Sequence, residues 1–323
     1  MISVGGQTLS LVDLVEVSQP THGDLYWLDA TTAAASYDAD AYVTTGTHGQ
    51  RWPRGGSISV IDLSNGESHT VVSDGVLSDI DRANHRFLVK RLDDNGAAEL
   101  DVIGWDGTLI GRLSGEFPRA AFLSNGSVAV VDDDAIASWA PGSDDPSWSS
   151  LPAGFATADD ATDIAGAVGD HVLLYGLQSG LAALVDPTTG TVIGNVWKQR
   201  LGQSPAVEPD GTRFAIDAPQ PDVGASDAFE ILDSATADVI ATTGAHADSG
   251  LIDVIWPTDD ILLVLRKAGS KYVLDGYDAG VLEPQTLAPL VTGETSIRFE
   301  DGELTVLPVH GPSLFAALAG PTR

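Results

Sequence analysis

Short apolar runs of four to six residues recur along the chain, each bounded by Gly, Asn, Asp or Pro. Leu181–Asp217 shows the pattern most plainly. An apolar run, Leu181–Val185, meets Asp186-Pro187-Thr188-Thr189-Gly190, and a second run, Thr191–Val196, follows. After a polar crossing comes Pro205–Glu208, then Pro209-Asp210-Gly211, then Thr212–Asp217. Asp-Pro and Asp-Gly are turn chemistry, because Pro presets φ and Gly accepts positive φ. Runs this short, this regular and separated by turns predict strands, and few segments carry a helical period.

Four strands in about 40 residues are the content of one blade of a β-propeller. Aligning the residues that open each unit gives Leu25, Leu77, Arg119, Thr162, Ser204, Leu251 and Ser296, spaced 42–52 residues apart. Seven starts predict seven blades. Second strands are expected at Ala41–Thr45, Arg86–Lys90, Ser127–Val131, His171–Gly176, Arg213–Asp217, Ile261–Arg266 and Glu303–Pro308. The last unit supplies only two strands, Ser296–Glu300 and Glu303–Pro308, while Ile2–Val4 and Thr8–Val12 are orphans at the other end. Joining them predicts an all-β, seven-bladed β-propeller whose last blade is closed two-plus-two by N-terminal strands, a device that hides sheet edges. One domain over residues 1–310 and a tail over 311–323 follow, with Ser313–Leu318 reading as a short helix.

The stretch Leu181–Asp217 resembles the YVTN-type repeats of WD-repeat-like bacterial propellers: strand, D-P-x-T-G, strand, then P-x-V-x-P-D-G-T and strand. Ala41-Tyr42-Val43-Thr44-Thr45 and Ile58-Ser59-Val60-Ile61-Asp62 echo it. The resemblance implies the fold and leaves function open, since such repeats serve many roles. The single Trp105-Asp106 pair sits in a Gly104–Gly107 turn and does not repeat, so the strict WD signature is absent.

Charge narrows the partners. Lys+Arg number 16 against 46 Asp+Glu, a formal net charge of −30. Nucleic acid and anionic membrane surfaces are thereby disfavoured, because both require a basic face. There is no cysteine, hence no disulfide, thiolate metal site or cysteine nucleophile. Residues 1–20 lack the basic start and apolar core of a signal peptide, and no run is long enough to span a bilayer. An Asp-rich, Lys-poor composition slightly favours an exported or cell-surface setting, and a monomer is expected.

Enzyme signatures fail: there is no G-x-S-x-G, H-E-x-x-H, G-x-x-x-x-G-K-[ST] or G-x-G-x-x-G. Asp93-Asp94-Asn95-Gly96 lacks the alternating ligand spacing of a calcium loop and reads as a hairpin turn. Two constellations remain. Asp79, Asp163 and Asp253 fall near one point of the first strand in three units, with Arg119 and Arg298 near it in two others. First strands line a propeller's channel, so these groups are expected at one mouth, placed to hold a divalent cation or a polar ligand. The second is the loop Thr45–Ser57, which gathers His48, Arg51, Trp52 and Arg54 in a cation-poor chain; Trp and Arg anchor interfaces. The favoured function is a non-enzymatic scaffold presenting a protein, peptide or glycan site on one face, with no resident cofactor. The competing readings are a metal-dependent hydrolase or lactonase using Asp79, Asp163 and Asp253, and a sensor or accessory ectodomain.

Overall fold

A computed structural model describes residues 2–4, 7–12, 23–29, 32–45, 50–117, 119–132, 134–155, 162–198, 205–218, 228–243, 249–259, 261–268, 271–278, 284–290, 294–300 and 303–309. Among them there is no helix; the elements are all strands. The expected helix at Ser313–Leu318, the tail 311–323 and His48 lie outside the described residues.

Strands β1 (Ile2–Val4) and β2 (Gln7–Val12) form an antiparallel hairpin at the N-terminal end. The first sheet follows as β3 (Gly23–Trp27) and β4 (Thr32–Tyr37), then, after an excursion through β5 (Ala41–Thr45) and β6 (Gln50–Arg54), β7 (Ser57–Asp62) and β8 (Ser68–Val72). The second is β9 (Val76–Asp81), β10 (Arg86–Leu92), β11 (Ala98–Gly104) and β12 (Leu109–Ser114). The third is β13 (Ala120–Phe122), β14 (Val128–Asp132), β15 (Ala135–Trp139) and β16 (Ser147–Ser150). The fourth is β17 (Thr162–Val168), β18 (His171–Gly176), β19 (Leu181–Asp186) and β20 (Thr191–Lys198). The fifth is β21 (Ala206–Val207), β22 (Arg213–Asp217), β23 (Phe229–Asp233) and β24 (Val239–Thr242). The sixth is β25 (Ser249–Thr258), β26 (Ile261–Ala268), β27 (Lys271–Asp278) and β28 (Pro284–Leu290). Finally β29 (Glu294–Glu300) and β30 (Glu303–Val309) share a sheet with the N-terminal hairpin in the order β1-β2-β30-β29, β2 pairing β30 in parallel through Ser10–Glu303 to Val12–Thr305.

The first six sheets are antiparallel meanders, and the stretch Leu181–Asp217 is divided between two of them. Its first two strands are the outer pair of the fourth sheet and its last two the inner pair of the fifth. The repeat therefore opens at an inner strand, as the aligned starts imply. One assignment is corrected. Ala41–Thr45 is not the second strand of the first unit; β4 is, and β5–β6 is an inserted hairpin. The run Thr32-Ala-Ala-Ala-Ser-Tyr hides its strand because Ala has low strand propensity, yet Ala33, Ala34 and Ala35 are at most 1% exposed.

Packing between sheets explains the pattern of short apolar runs. In β14, Val128 and Val130 join an apolar layer with Leu88, Leu100 and Val102 of the second sheet. Ala129 and Val131 join the layer with Ile164, Val172 and Leu174 of the fourth. A period of two thus feeds both faces, so the strand reads as continuously apolar. Equivalent layers lie between sheets one and two, four and five, and five and six. Trp139 and Trp256 fill inter-sheet space with no exposed surface.

Turn-side ties join neighbouring sheets. Arg86, opening β10, is ion-paired with Asp81 at the end of β9. It donates at 2.9 Å to the Gly126 carbonyl of the third sheet and lies 5.2 Å from the Phe122 ring centroid. Arg213 repeats this three sheets on. It pairs with Glu208, donates at 2.9 Å to the Asp259 carbonyl of the sixth sheet and lies 5.1 Å from the Trp256 centroid. An acid followed five residues later by arginine across the first turn is therefore one structural device used twice.

Candidate functional site

The first strands share a register that fixes depth. In the second sheet, counting rungs from the turn, Asp81 pairs Arg86, Ile80 pairs Phe87 and Asp79 pairs Leu88; after a bulge, Leu77 pairs Val89 and Val76 pairs Lys90. In the fourth, Val168 pairs His171, Ala167 pairs Val172 and Gly166 pairs Leu173; after a bulge at the same rung, Ile164 pairs Leu174 and Asp163 pairs Tyr175. Asp79 is thus on the third rung and Asp163 on the fifth, roughly 7 Å apart along the strand direction at ~3.4 Å per residue. Asp253 adjoins the bulge of β25 as Asp79 adjoins that of β9, and Arg298 pairs Thr305 on its third rung; neither side chain is among the described ones.

This corrects the expected shared height. Aligning the residues that open each unit puts Asp163 within one position of Asp79, but the rungs set Asp163 opposite Val76 and Gly166 opposite Asp79. The two carboxylates also have separate partners. Asp79 is half-buried and accepts the amides of Ile80 at 2.8 Å and of Phe122, in the next sheet, at 2.7 Å. Burial pushes its carboxyl up to about 6 against the pull of those two amides, and the Arg82 guanidinium beside it is lowered to about 10 by burial. Asp163 accepts its own following amide, Ile164, at 2.9 Å and faces Arg119 Nε at 2.9 Å. Burial raises its carboxyl too, opposed by Arg119 and Lys90.

The fifth rung marks the mouth where the first strands begin. Lys90 and Asp163 share that height, and Arg119 immediately precedes β13 between them. The inserted hairpin reaches the same end. Trp52 on β6 is 2% exposed, packed with Leu92, Ala98 and Val43, and the Lys90 ammonium lies 5.6 Å from its ring centroid. Trp52, expected to anchor an interface, is instead buried and seats the hairpin on the second sheet. The hairpin's return is held where the Gly55 amide donates to Asp74 at 3.0 Å. Gly56 follows with φ +88°, and a Cβ there would lie within 3.0 Å of the Gly75 and Tyr37 carbonyls. Arg54 is exposed on the hairpin, and the side chain of Arg51 is not among those described. Tyr37 and Tyr42, 41% and 46% exposed, complete the accessible surface beside it.

The opposite end is different. A cavity of about 50 Å³ is lined by Ile80, Arg82, Phe122, Ala167, Gly169 and Val207, drawn from four successive sheets. Nearby on the rim, Glu208, Asp210 and Asp259 bring carboxylate oxygens within 4.8 Å of one another. Arg213 and Thr212 already engage Glu208, and Asp259 accepts the Asp210 amide at 3.1 Å. That group is a structural tie. Sequence reasoning missed Lys90, although it is one of only four lysines, and missed the ties, although the acid-to-arginine spacing was visible in both.

The titration of these groups makes a prediction. Asp79 binds its proton more tightly folded (about 6) than unfolded (3.8), so its contribution is complete at low pH and fades as pH rises through about 6. Asp163 and Glu230 are raised likewise by burial. Turn aspartates such as Asp93 and Asp106 are lowered by backbone amides and act oppositely, losing their contribution as pH falls below the ordinary carboxylate range. Thermal stability is expected to peak near pH 4, to fall between about pH 4 and 6 and to level off above about pH 7, with Asp79 contributing at most about 3 kcal/mol of the decline. Scanning melts across pH check this; a curve still rising from pH 4 to 6 would contradict it, and Asp79→Asn is expected to flatten the slope.

No protein-family model and no curated protein matches the chain. Solved structures do. The WD40 β-propeller domain of Doa1 superposes with a TM-score of 0.54 at 14% identity, covering 93% of both chains. The WD40 domain of coronin from Toxoplasma gondii gives 0.53 at 14% identity, over 90% of this chain and 75% of that one. The uncharacterized protein lmo1340 from Listeria monocytogenes EGD-e gives 0.57 at 11% identity, over 94% and 99%. The fold is a β-propeller, and at these identities the likeness carries the fold alone.

Proposed function

We propose that the chain is a seven-bladed propeller closed by its N-terminal hairpin and acting as a non-enzymatic, protein-binding scaffold, with the mouth that carries the β5–β6 hairpin as its binding face. The repeated four-stranded sheets, the apolar layers between successive ones and the β1-β2-β30-β29 sheet support the architecture. The observation that carries the function is convergence. An insertion that the repeat does not need is seated by a buried Trp52 on the very end where Lys90, Asp163 and Arg119 gather. Rigid scaffolds place recognition on such insertions, and exposed tyrosine with arginine is the composition of binding anchors. The similar WD40 structures support the propeller fold on which this reading is built. The metal-hydrolase reading loses support, because the register puts Asp79 and Asp163 on different rungs with different partners.

A photo-reactive amino acid at position 42 is expected to give one discrete, mass-identified protein adduct in the source cell extract. The same group at Val239, 50% exposed on outer strand β24, is expected to give none. Equal labelling from both positions would sink the assignment of the face.

A further inference from the structure

Acids are spread unevenly over the strands. The outermost strands of the first six sheets, β8, β12, β16, β20, β24 and β28, contain no Asp or Glu, although the chain has 46. Each of those sheets carries an acid on another strand, as at Asp24, Asp79, Asp132, Asp163, Glu230 and Asp275. Burial does not explain the difference. Strands β8, β12, β16 and β24 are mostly exposed, which is where an acidic chain ordinarily places its charge.

Around β12 this acid-free rim is also apolar. Leu109 and Ile110 are 50% and 41% exposed on it, and Trp148, on outer strand β16 of the next sheet, is 43% exposed. The Trp148 ring stacks with Phe117, which lies just beyond β12, at 6.1 Å between centroids. The turn that precedes β16 presses on the same strand: a Cβ on Gly111 would lie 2.5 Å from the Gly142 amide nitrogen. The third sheet therefore covers part of β12 and sets Trp148 beside it. Arg112, the one charged residue on the strand, is held by buried Asp101 at 2.7 Å and by Glu99 at 3.3 Å, so it does not guard the edge as an outward lysine would.

Strand β12 ends its sheet in the order β12-β11-β10-β9, and among the described residues no strand pairs with its other side. An edge with exposed apolar chains and no acid is a template for another strand. Its chemistry selects which one. Two chains of net charge −30 repel each other wherever both present carboxylates, so two acid-free edges are where they meet with least repulsion. A basic partner would be drawn instead to the acid-bearing turns. One strand set antiparallel to its own copy is also self-complementary about a two-fold axis. We propose that β12 pairs antiparallel with β12 of a second copy of this chain, Leu109, Ile110 and Trp148 of each copy flanking the joined edge. These three side chains expose roughly 300 Å² per copy, below the ~800 Å² per partner of a standard interface, so the dimer is a weak one. It goes beyond the scaffold reading and does not depend on it.

The test is sedimentation of the full chain between roughly 1 and 200 μM in about 0.15 M salt. In place of the expected monomer, a reversible monomer–dimer equilibrium is expected, half complete at roughly 10–100 μM. Ile110→Glu, at an exposed position, is expected to weaken it about tenfold or more while melting as the wild type does. Trp148→Gln is expected to weaken it as well. Ile240→Glu, on the 53% exposed residue of outer strand β24, is expected to leave it unchanged. Raising the salt to about 0.5 M is expected to tighten the dimer, because it screens the repulsion between two acidic chains. A single species of 33.5 kDa at every concentration overturns the proposal, as does an undiminished dimer in Ile110→Glu. Equal loss in Ile240→Glu overturns the choice of β12, and a dimer that weakens with salt overturns the acid-free contact.

Discussion

Removing residues 1–15 is expected to lower the melting temperature by roughly 5–10 °C and to broaden the transition. The deletion strips β1 and β2 from the sheet they share with β30 and β29. It exposes β30 as an edge, where Glu303, Leu304 and Thr305 pair with Ser10, Leu11 and Val12. An unpaired edge loses its ladder hydrogen bonds and becomes a template for aggregation. Leu11→Pro checks the same point without shortening the chain, because proline removes the ladder donor. Unchanged thermal unfolding in both variants would mean that the N-terminal hairpin is an ornament on a fold closed by other means.

The second large effect is at a tie between blades. Arg213→Ala is expected to cost about 3–5 kcal/mol, because it leaves Glu208 buried without its cation. Glu208 is 1% exposed and takes Arg213 Nε at 2.9 Å on Oε2, as well as the Thr212 hydroxyl at 2.8 Å. The same guanidinium reaches the Asp259 carbonyl in the next blade and lies over Trp256, so the loss also loosens the junction between the fifth and sixth sheets. The double variant Arg213→Met, Glu208→Leu separates the two contributions. With no stranded carboxylate it is expected to recover most of the loss in chemical denaturation. If the double variant is as unstable as Arg213→Ala, the inter-blade contacts of the guanidinium dominate, and the buried carboxylate is not the cause.

The strands were legible because their signals are local. The turns Asp93–Gly96 and Gly104–Gly107 read as turns from their residues alone, and they are closed by the Asp93 and Asp106 carboxylates taking nearby amides. The register was not legible. Whether Asp163 stands level with Asp79 or two rungs above it depends on bulges that leave no mark in a string of residues. Trp52 failed for a related reason. Its loop reads as polar and mobile in composition, but β5 pairs with β6 and turns the ring onto Leu92 and Ala98, distant in sequence. Lys90 drew no notice because a strand-end lysine is ordinary until a tryptophan and an aspartate from other blades are brought to it.

Alternation of apolar and polar positions, punctuated by Asp, Asn, Gly and Pro, determined by itself that this chain forms short strands repeated about every 45 residues, since both signals act within a few residues of the chain. Which side chains meet at the mouth was decided only by the tertiary structure. Lys90 and Asp163 come from separate sheets and Arg119 from the residue before β13, and the common height of Lys90 and Asp163 follows from hydrogen-bond register and bulges, which are set when strands pair.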